Sequence, residues 1–251
     1  MVNVSVCMAV YNGEEFIIEQ IQSILDQIGD NDELIITDDK SEDNTISLIQ
    51  NLKDDRIVLI QNARKLGIVK NFEKAISLAK GNYVFLSDQD DIWANNKVQI
   101  QISDLKHAVL SVSDMNIFRS KNFEIIKKSF FTDRRIPKKR LFLNNLLKNR
   151  FVGSCMAFRK DLIPFIIPIP RNCPMHDWWI GLIACLKGKV IFQNQILVNH
   201  RHHDSNNSDT ALKKSTSGIL DKFMFRIKIL TLILKRVLWN YKHVTSLRRI
   251  I

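Results

Sequence analysis

The stretch "FLSDQDDIW", Phe85 to Trp93, places three aspartates within four positions directly behind a run of strand-forming residues. Buried strands seldom end this way, because each carboxylate disfavours ionisation of the next. Such a cluster either lies in open solvent or holds something positive. Asp88 and Asp90 are two apart, so on an extended chain both side chains point the same way. Two carboxylates on one face of a strand end suit magnesium or manganese, a cation that keeps waters and takes oxygens from a substrate diphosphate. Asp91 alternates away and suits a cap on the following turn. The plain alternative is a solvated acidic turn.

The run before the cluster is the fourth strand of a regular alternation. "VSVCMAV" (Val4 to Val10) reads as a buried strand ended by "YNG". Ile17, Ile21, Ile24 and Ile28 recur at helical spacing, with Glu14 and Glu15 in the first turn, where the helix dipole favours acids. "ELIITDD" is a second strand, "SEDNTISLIQNL" a helix with a Ser/Asp/Asn-rich start suited to capping, and "RIVLIQN" a third strand. Val69, Phe72, Ile76 and Ala79 mark a third helix that Gly81 ends, and "YVFLSDQDD" is the fourth strand. Alternation over the first 91 residues implies a parallel sheet with helices on its faces. Ligands of such sheets sit beyond the carboxyl ends of the strands, so "YNG", "TDD" and "SDQDD" are expected to meet at one edge.

The second half is less regular. "NNKVQIQISDLKHA" and "HDWWIGLIACLKG" read as helices, "VLSVSD" and "NRFVGSCMAFRK" as strands, and "KVIFQNQILVNHRHH" as one or two strands. Lys121 to Arg140 is basic and carries no assignment.

The 251 residues, 45% hydrophobic and 25% charged, suit one large globular domain or a domain with an appendage. Apolar runs such as "ILTLIL" (Ile229 to Leu234) are too short to span a bilayer, and the N-terminus lacks a basic n-region and a small-residue cleavage site. A cytoplasmic location is expected. Cys7, Cys155, Cys173 and Cys185 form no CxxC pair and read as buried free thiols. Net charge is +11, but Lys213 to Ile251 holds ten Lys or Arg against the single acid Asp221 and supplies +9 of it. The basicity belongs to a tail.

GxGxxG after the first strand and GxxxxGK[ST] are both absent, so dinucleotide redox chemistry and P-loop hydrolysis lose support. A carboxylate at the second strand end, Asp38 or Asp39, suits a hydrogen bond from a ribose hydroxyl or a base N–H. Helix capping by Asp39 or Ser41 is the rival reading.

Together, "VSVCMAVYNGEEF", "ELIITDDKSEDNT" and "LGIVKNFEKAISLAKGNYVFLSDQDDIW" resemble the nucleotide-sugar-binding half of family 2 glycosyltransferases with the A-type fold, over about the first 100 residues in order and with spacing intact. "SDQDDIW" resembles bacterial members that act as rhamnosyltransferases or otherwise build polysaccharides. The resemblance implies an α/β fold: a Rossmann-like, mostly parallel sheet with helices on both faces, plus a C-terminal basic helical appendage. The catalytic domain would span 1–212, with a nucleotide-sugar-binding half at 1–106 and an acceptor-side half at 107–212, followed by the tail at 213–251. The implied reaction is inverting transfer of a sugar from a nucleoside diphosphate, dTDP-rhamnose or a UDP-sugar, to a cell-surface polysaccharide or lipid-linked glycan. Mn2+ or Mg2+ is the implied cofactor.

By the same resemblance, Tyr11 and Asn12 border the nucleotide, and the backbone near Ala9 and Val10 contacts the base. Asp39 binds the base imide, Asp38 supports that loop, and Gly67 belongs to the loop beside the nucleotide. Asp88 contacts ribose or metal, and Asp90 is the metal-bridging carboxylate. Asp91 serves local structure or the acceptor side, where Trp93 also falls. In "MHDWW", Asp177 at a helix start is the implied general base, taking the acceptor hydroxyl proton as that oxygen attacks the anomeric carbon. A helix N-cap is its rival reading. Trp178 and Trp179 stack on a sugar or belong to the core, with core the better reading for one of the two; Trp178 is the acceptor-side candidate. In "HRHHDSNNSD", His203 fits an R-x-H arrangement with Arg201 near metal or phosphate, against the reading of a polar mobile loop. A closed zinc site lacks a second ligand cluster. Gly153 and Ser154 in "FVGSCMAF" line the acceptor pocket or simply form strand.

From Ile219 the chain mixes Leu, Ile, Phe and Trp with Lys and Arg, as a basic amphipathic helix does at an anionic membrane surface. Some of these apolar residues are expected against the catalytic domain or a partner subunit, which leaves room for an oligomer through the tail. No nucleic-acid module precedes the tail, so nucleic acid is not an expected partner. A peripheral position at the inner membrane face, beside a lipid-linked acceptor, follows. Two rival functions stand beside this one. A nucleotidyltransferase generally wants a glycine-rich basic phosphate loop where this chain has "YNGEEF". A non-catalytic nucleotide-sugar-binding module would keep the fold and use the tail as an anchor.

Overall fold

Val4–Val10 (β1) and Glu33–Asp38 (β2) are buried along nearly their whole length, as parallel strands covered on both faces must be. They pair in parallel with each other and with Ile57–Gln61 (β3) and Tyr83–Ser87 (β4). Ile17–Leu25 (α1), Thr45–Asn51 (α2) and Ile68–Leu78 (α3) follow β1, β2 and β3. Ile17, Ile21 and Ile24 of α1 and Phe72 and Ile76 of α3 are fully buried, so the periodic apolar stripes face the sheet. The computed structural model describes residues 1–131, 136, 139–203 and 219–247.

After β4 come Ile92–Trp93 (β5), Lys97–Leu105 (α4), Leu110–Arg119 (β6), Ile125–Lys127 (β7) and Leu141–Leu147 (α5). Met156–Arg159 (β8), Ile163–Ile166 (α6), His176–Lys187 (α7), Val190–His202 (β9) and Ile219–Leu247 (α8) complete the chain. The strand order is β3-β2-β1-β4-β8-β6-β9-β5, with β7 on β6. β8 runs antiparallel to both β4 and β6, and β9 runs parallel to β6. Hence β1, β2, β3, β4, β6 and β9 all finish at one edge, and the polar clusters behind them are neighbours.

Several expectations change. β4 stops at Ser87, and Gln89 and Asp90 lie in a bend, so strand alternation does not govern where Asp88 and Asp90 point. Glu14 and Glu15 precede α1, whose first turn carries Glu19 instead. Asn44 caps α2 without a side-chain bond; Asp43 takes the Thr45 amide at 3.1 Å. Gly153–Cys155 forms a 3-10 turn, so only Met156 onward is strand. β9 is one strand of 13 residues. In the unassigned basic stretch, β7 precedes a turn held by buried Asp114, which accepts from the Phe130 and Phe131 amides, each at 3.0 Å. Residues 132–135 and 137–138 of that stretch, and 204–218 after the histidine cluster, lie outside the described residues. The cysteines are free, and burial pushes the Cys155, Cys173 and Cys185 thiols up to about 12.

Ile229 and Ile233 carry α8 into the core. Arg226 donates to the Leu147 carbonyl at the end of α5, and Arg236 to the Phe165 and Ile167 carbonyls around α6.

Gly81 does not end α3; Ala79 is the C-cap. A Cβ at Gly81 would lie 2.6 Å from the Ser5 amide nitrogen and 2.6 Å from the Val4 carbonyl carbon, both backbone atoms of β1. Gly81→Ala is therefore expected to cost about 1–3 kcal/mol of stability. Chemical unfolding reads this as a lower midpoint at constant slope, and an unchanged midpoint would refute the close approach.

Candidate active site

The edge is built from three loops that hold one another. Behind β1, the Tyr11 amide donates to Gln89 Oε1 at 2.8 Å, and Gln89 Nε2 donates back to the Tyr11 carbonyl at 3.1 Å. Asn12, at φ 48°, accepts from the Glu42 amide at 2.9 Å, and its own amide donates to the Ser41 hydroxyl at 2.9 Å. The β1 loop is thus fixed to both neighbours. Ala9 pairs with Thr37 inside the sheet, and the Val10 carbonyl already accepts from the Asp39 amide.

Behind β2, the two aspartates take separate duties. Asp38 accepts from the Lys40 and Ser41 amides, both at 3.1 Å, and so closes its own turn. Asp39 reaches forward: Leu66 and Gly67 donate their amides to it at 2.7 and 2.9 Å, and Asn62 Nδ2 donates at 3.2 Å. Asp39 is therefore no helix cap. Three of its carboxylate's roughly four acceptor positions are in use, which leaves one on Oδ2. Gly67, at φ 80°, starts α3 in a backbone conformation natural to glycine. Buried Asn71 ties this loop to the sheet, accepting from Asn62 at 2.9 Å and donating to the Thr37 carbonyl at 2.7 Å.

Behind β4, the three aspartates diverge. Asp91 is fully buried and meets His200 Nδ1 of β9 at 2.7 Å. Burial opposes its charge, but His200, helped by hydrogen bonds including the Arg201 amide, holds the Asp91 carboxyl below the usual range. Burial alone would push His200 down; the facing charge of Asp91, helped by Asp90 and Asp88, pushes it up to about 9. The protonated form of His200 is therefore the favoured partner of the Asp91 carboxylate. Asp90 meets His203 Nε2 at 3.0 Å, and its carbonyl accepts from Arg201 Nε at 3.0 Å. Arg201 is buried, pairs with Glu19 and lies 4.8 Å from the Phe16 ring centroid. Asp88 is half-buried, and burial followed by the charges of Asp91 and Asp90 raises its carboxyl well above the usual range.

Asp177 stands in the first turn of α7, where the helix dipole favours a carboxylate. Met175, not Asp177, is the N-cap. A Cβ on Gly153 would lie 2.8 Å from His176 Nε2 and 3.8 Å from the Asp177 Cβ, so the 3-10 turn packs directly on the candidate base. The Asp177 charge adds, after burial and the charges of Asp91 and Asp90, to the raising of Asp88. His176 stacks on Phe72 with ring centroids 4.0 Å apart, and burial pushes it down to about 3, so it is neutral.

The acceptor-side candidates face the protein interior in this structure: Asp91 and Ser154 are fully buried, and Trp93 is 3% exposed. Trp178 is buried too, with Nε1 donating to the Asn145 carbonyl at 2.8 Å and its ring stacked on Phe225. Gly153 shapes the site by close approach to His176. Sequence reasoning missed Gln89, Asn62, Asn71 and His200, whose partners are distant in the chain; the histidine-rich end of β9 was the only hint of His200.

Among the described residues, no group of three or more His, Cys, Asp or Glu forms a metal cage. Asp90 and His203 supply an oxygen and a nitrogen side by side, which fits a cation completed by water and substrate oxygens rather than a closed structural site.

The sequence matches the profile of glycosyl transferase family 2 over residues 5–164. The Escherichia coli UDP-Glc:alpha-D-GlcNAc-diphosphoundecaprenol beta-1,3-glucosyltransferase WfgD is 33% identical over 178 residues, covering 70% of this chain and 68% of that protein. The putative teichuronic acid biosynthesis glycosyltransferase TuaG of Bacillus subtilis is 35% identical over 227 residues, covering 84% of this chain and 85% of that protein. The crystal structure of S. aureus TarS 1-349 in complex with UDP-GlcNAc matches with a TM-score of 0.70 at 17% identity, over 94% of this chain and 67% of that one. These likenesses set the nucleotidyltransferase and non-catalytic readings aside. The strand edge, its paired carboxylates and the match over more than half the sequence agree: the chain belongs to glycosyl transferase family 2, as a glycosyltransferase with the A-type fold.

Proposed function

We propose that the enzyme transfers a sugar, with inversion, from a pyrimidine nucleoside diphosphate to a lipid-linked glycan in polysaccharide synthesis, and that it requires Mn2+ or Mg2+. The Asp90–His203 contact at 3.0 Å carries the reading, because it brings two ligands together at the edge where β4 and β9 end. Bound there, the cation would neutralise charge on the departing diphosphate. Asp39 keeps one acceptor position for the imide N–H of a uracil or thymine ring. Tyr11, Asn12 and Gly67 frame the base, and Asp88 faces the ribose or the cation. Asp177 accepts the proton of the acceptor hydroxyl while the new C–O bond forms at the anomeric carbon and the bond to the diphosphate breaks. One base and in-line geometry give inversion.

A UDP-sugar is supported by WfgD, whose name specifies UDP-Glc and a diphosphoundecaprenol-linked acceptor. TarS was crystallised with UDP-GlcNAc and, separately, with UDP. A mannosyltransferase from Pyrobaculum calidifontis of the same fold was crystallised with GDP-Man and Mn2+, which supports the cation. The nucleotide is tested by thermal stabilisation against a panel of UDP-, dTDP- and GDP-sugars with manganese.

Asp90→Asn is expected to lower manganese-dependent donor turnover about a hundredfold or more while the unfolding midpoint stays near wild type. Normal manganese-dependent turnover would sink the cation assignment. Asp177→Asn is expected to lower kcat for transfer by about 10²–10⁴-fold with donor KM little changed. A loss confined to donor KM would instead move Asp177 out of the base role.

A further inference from the structure

Helix α8 meets the protein through one stripe and leaves the opposite stripe apolar. Arg226, Ile229, Ile233 and Arg236 form the docked stripe. Met224, Ile227, Thr231, Leu234 and Leu238 are exposed and recur at steps of three and four, so they share one face. The two stripes are offset by two residues, roughly 200° around the helix. A surface helix ordinarily turns polar residues outward. Here Met224, Leu234 and Leu238 are 61%, 54% and 61% exposed. Helix α5 lies against α8 through Arg226 and adds Leu143 and Leu147, 52% and 60% exposed. Cations border this surface: Lys139, Arg140 and Lys148 around α5, and Lys228 and Lys235 on α8, are all exposed.

We propose that the exposed faces of α5 and α8 form one docking surface for an anionic lipid bilayer, with the leucines and Met224 at the acyl boundary and the lysines at the headgroups. The charge balance decides among occupants. Residues 139–150 contain no acid, and 219–247 hold six Lys or Arg against Asp221 alone. A second copy of this helix would set lysine against lysine with almost no acid to pair. A nucleic acid would use the lysines but not the apolar stripe. Anionic lipid uses both. The surface is also joined to the catalytic machinery: Phe225 of α8 stacks on Trp178, the residue after Asp177, at 5.2 Å between centroids. Docking would set the acceptor side of the site at the lipid surface, a consequence that rests on the lipid-linked acceptor proposed above.

The full-length chain, the double variant Leu234→Glu/Leu238→Glu and the double variant Lys228→Glu/Lys235→Glu are sedimented with vesicles of phosphatidylcholine, with or without phosphatidylglycerol. Wild type is expected to bind only the phosphatidylglycerol vesicles, more weakly as salt rises, and each double variant to lose about tenfold or more in apparent affinity. Circular dichroism and donor hydrolysis in solution should stay at wild-type levels, which separates lost docking from lost folding. Equal sedimentation of wild type and variants overturns the proposal. So does a wild-type dimer, seen by light scattering, that L234E/L238E dissolves with no vesicle binding in either protein. Vesicle binding by a wild type that hydrolyses no nucleotide sugar would reject the reaction and leave the docking surface standing.

Discussion

Asp88, Asp90 and Asp91 sit within four residues at the end of a buried strand, where each carboxylate raises the energy of the others. The contact between Asp91 and His200, 2.7 Å long with Asp91 fully buried and His200 partly so, makes that arrangement tenable. It takes one acid out of the cluster and pairs it with a histidine whose protonated form the neighbouring aspartates favour. It also fixes the bend after β4 to β9, since the Arg201 amide donates to the same Asp91 oxygen and the Arg201 guanidinium to the Asp90 carbonyl. β5 then pairs Ile92 with Asn199 and Trp93 with Val198, so β9 grips the chain on both sides of Asp91. His203, directly after β9, meets Asp90 at 3.0 Å. A buried ion pair of this kind is weak evidence for stability, and removing one partner is costly. Its value here is positional.

The donor side follows a different physical logic. Its loops are joined by neutral amides and by carboxylates that accept backbone N–H groups. Gln89 bridges the β4 bend to the β1 loop, Asp39 gathers the loop before α3, and Asn71 returns that loop to β2. Such networks specify one geometry only when each member is satisfied. Asp39 is the carboxylate of this network with an acceptor position to spare, which is why the proposed base contact is placed there.

The first half was legible because its physics is local. Parallel strands covered on both faces read as unbroken apolar runs, and helices that cover them read as isoleucines at helical spacing. The carboxyl-end rule then brought "YNG", "TDD" and "SDQDD" to one edge. What could not be read was the outcome of contacts made across the sheet. Gln89 lies 78 residues from Tyr11, and His200 lies 109 from Asp91. Nothing near "SDQDD" shows which of three equivalent acids receives the histidine, so Asp91 read as local structure or an acceptor-side contact, and it stands as a buried anchor. Trp93 and Trp178 show a related limit: aromatic residues beside a site look the same in sequence whether they face a sugar or the core.

The tail shows the same limit in reverse. Its basic and apolar composition suggested a membrane surface together with packing on the catalytic domain or a partner, and composition alone cannot say which residues take which face. Trp179 Nε1 donates to the Ile166 carbonyl of α6, and Arg236 of α8 donates to the Phe165 and Ile167 carbonyls on either side. Trp178 meets α5 through Asn145 and α8 through Phe225. The start of α7 is therefore clamped by α5, α6 and α8 together, and Asp177 takes its direction from that clamp and from the close approach of Gly153. A change in how α8 sits on the protein would reach the candidate base through two tryptophans, with no contact to the sugar at all.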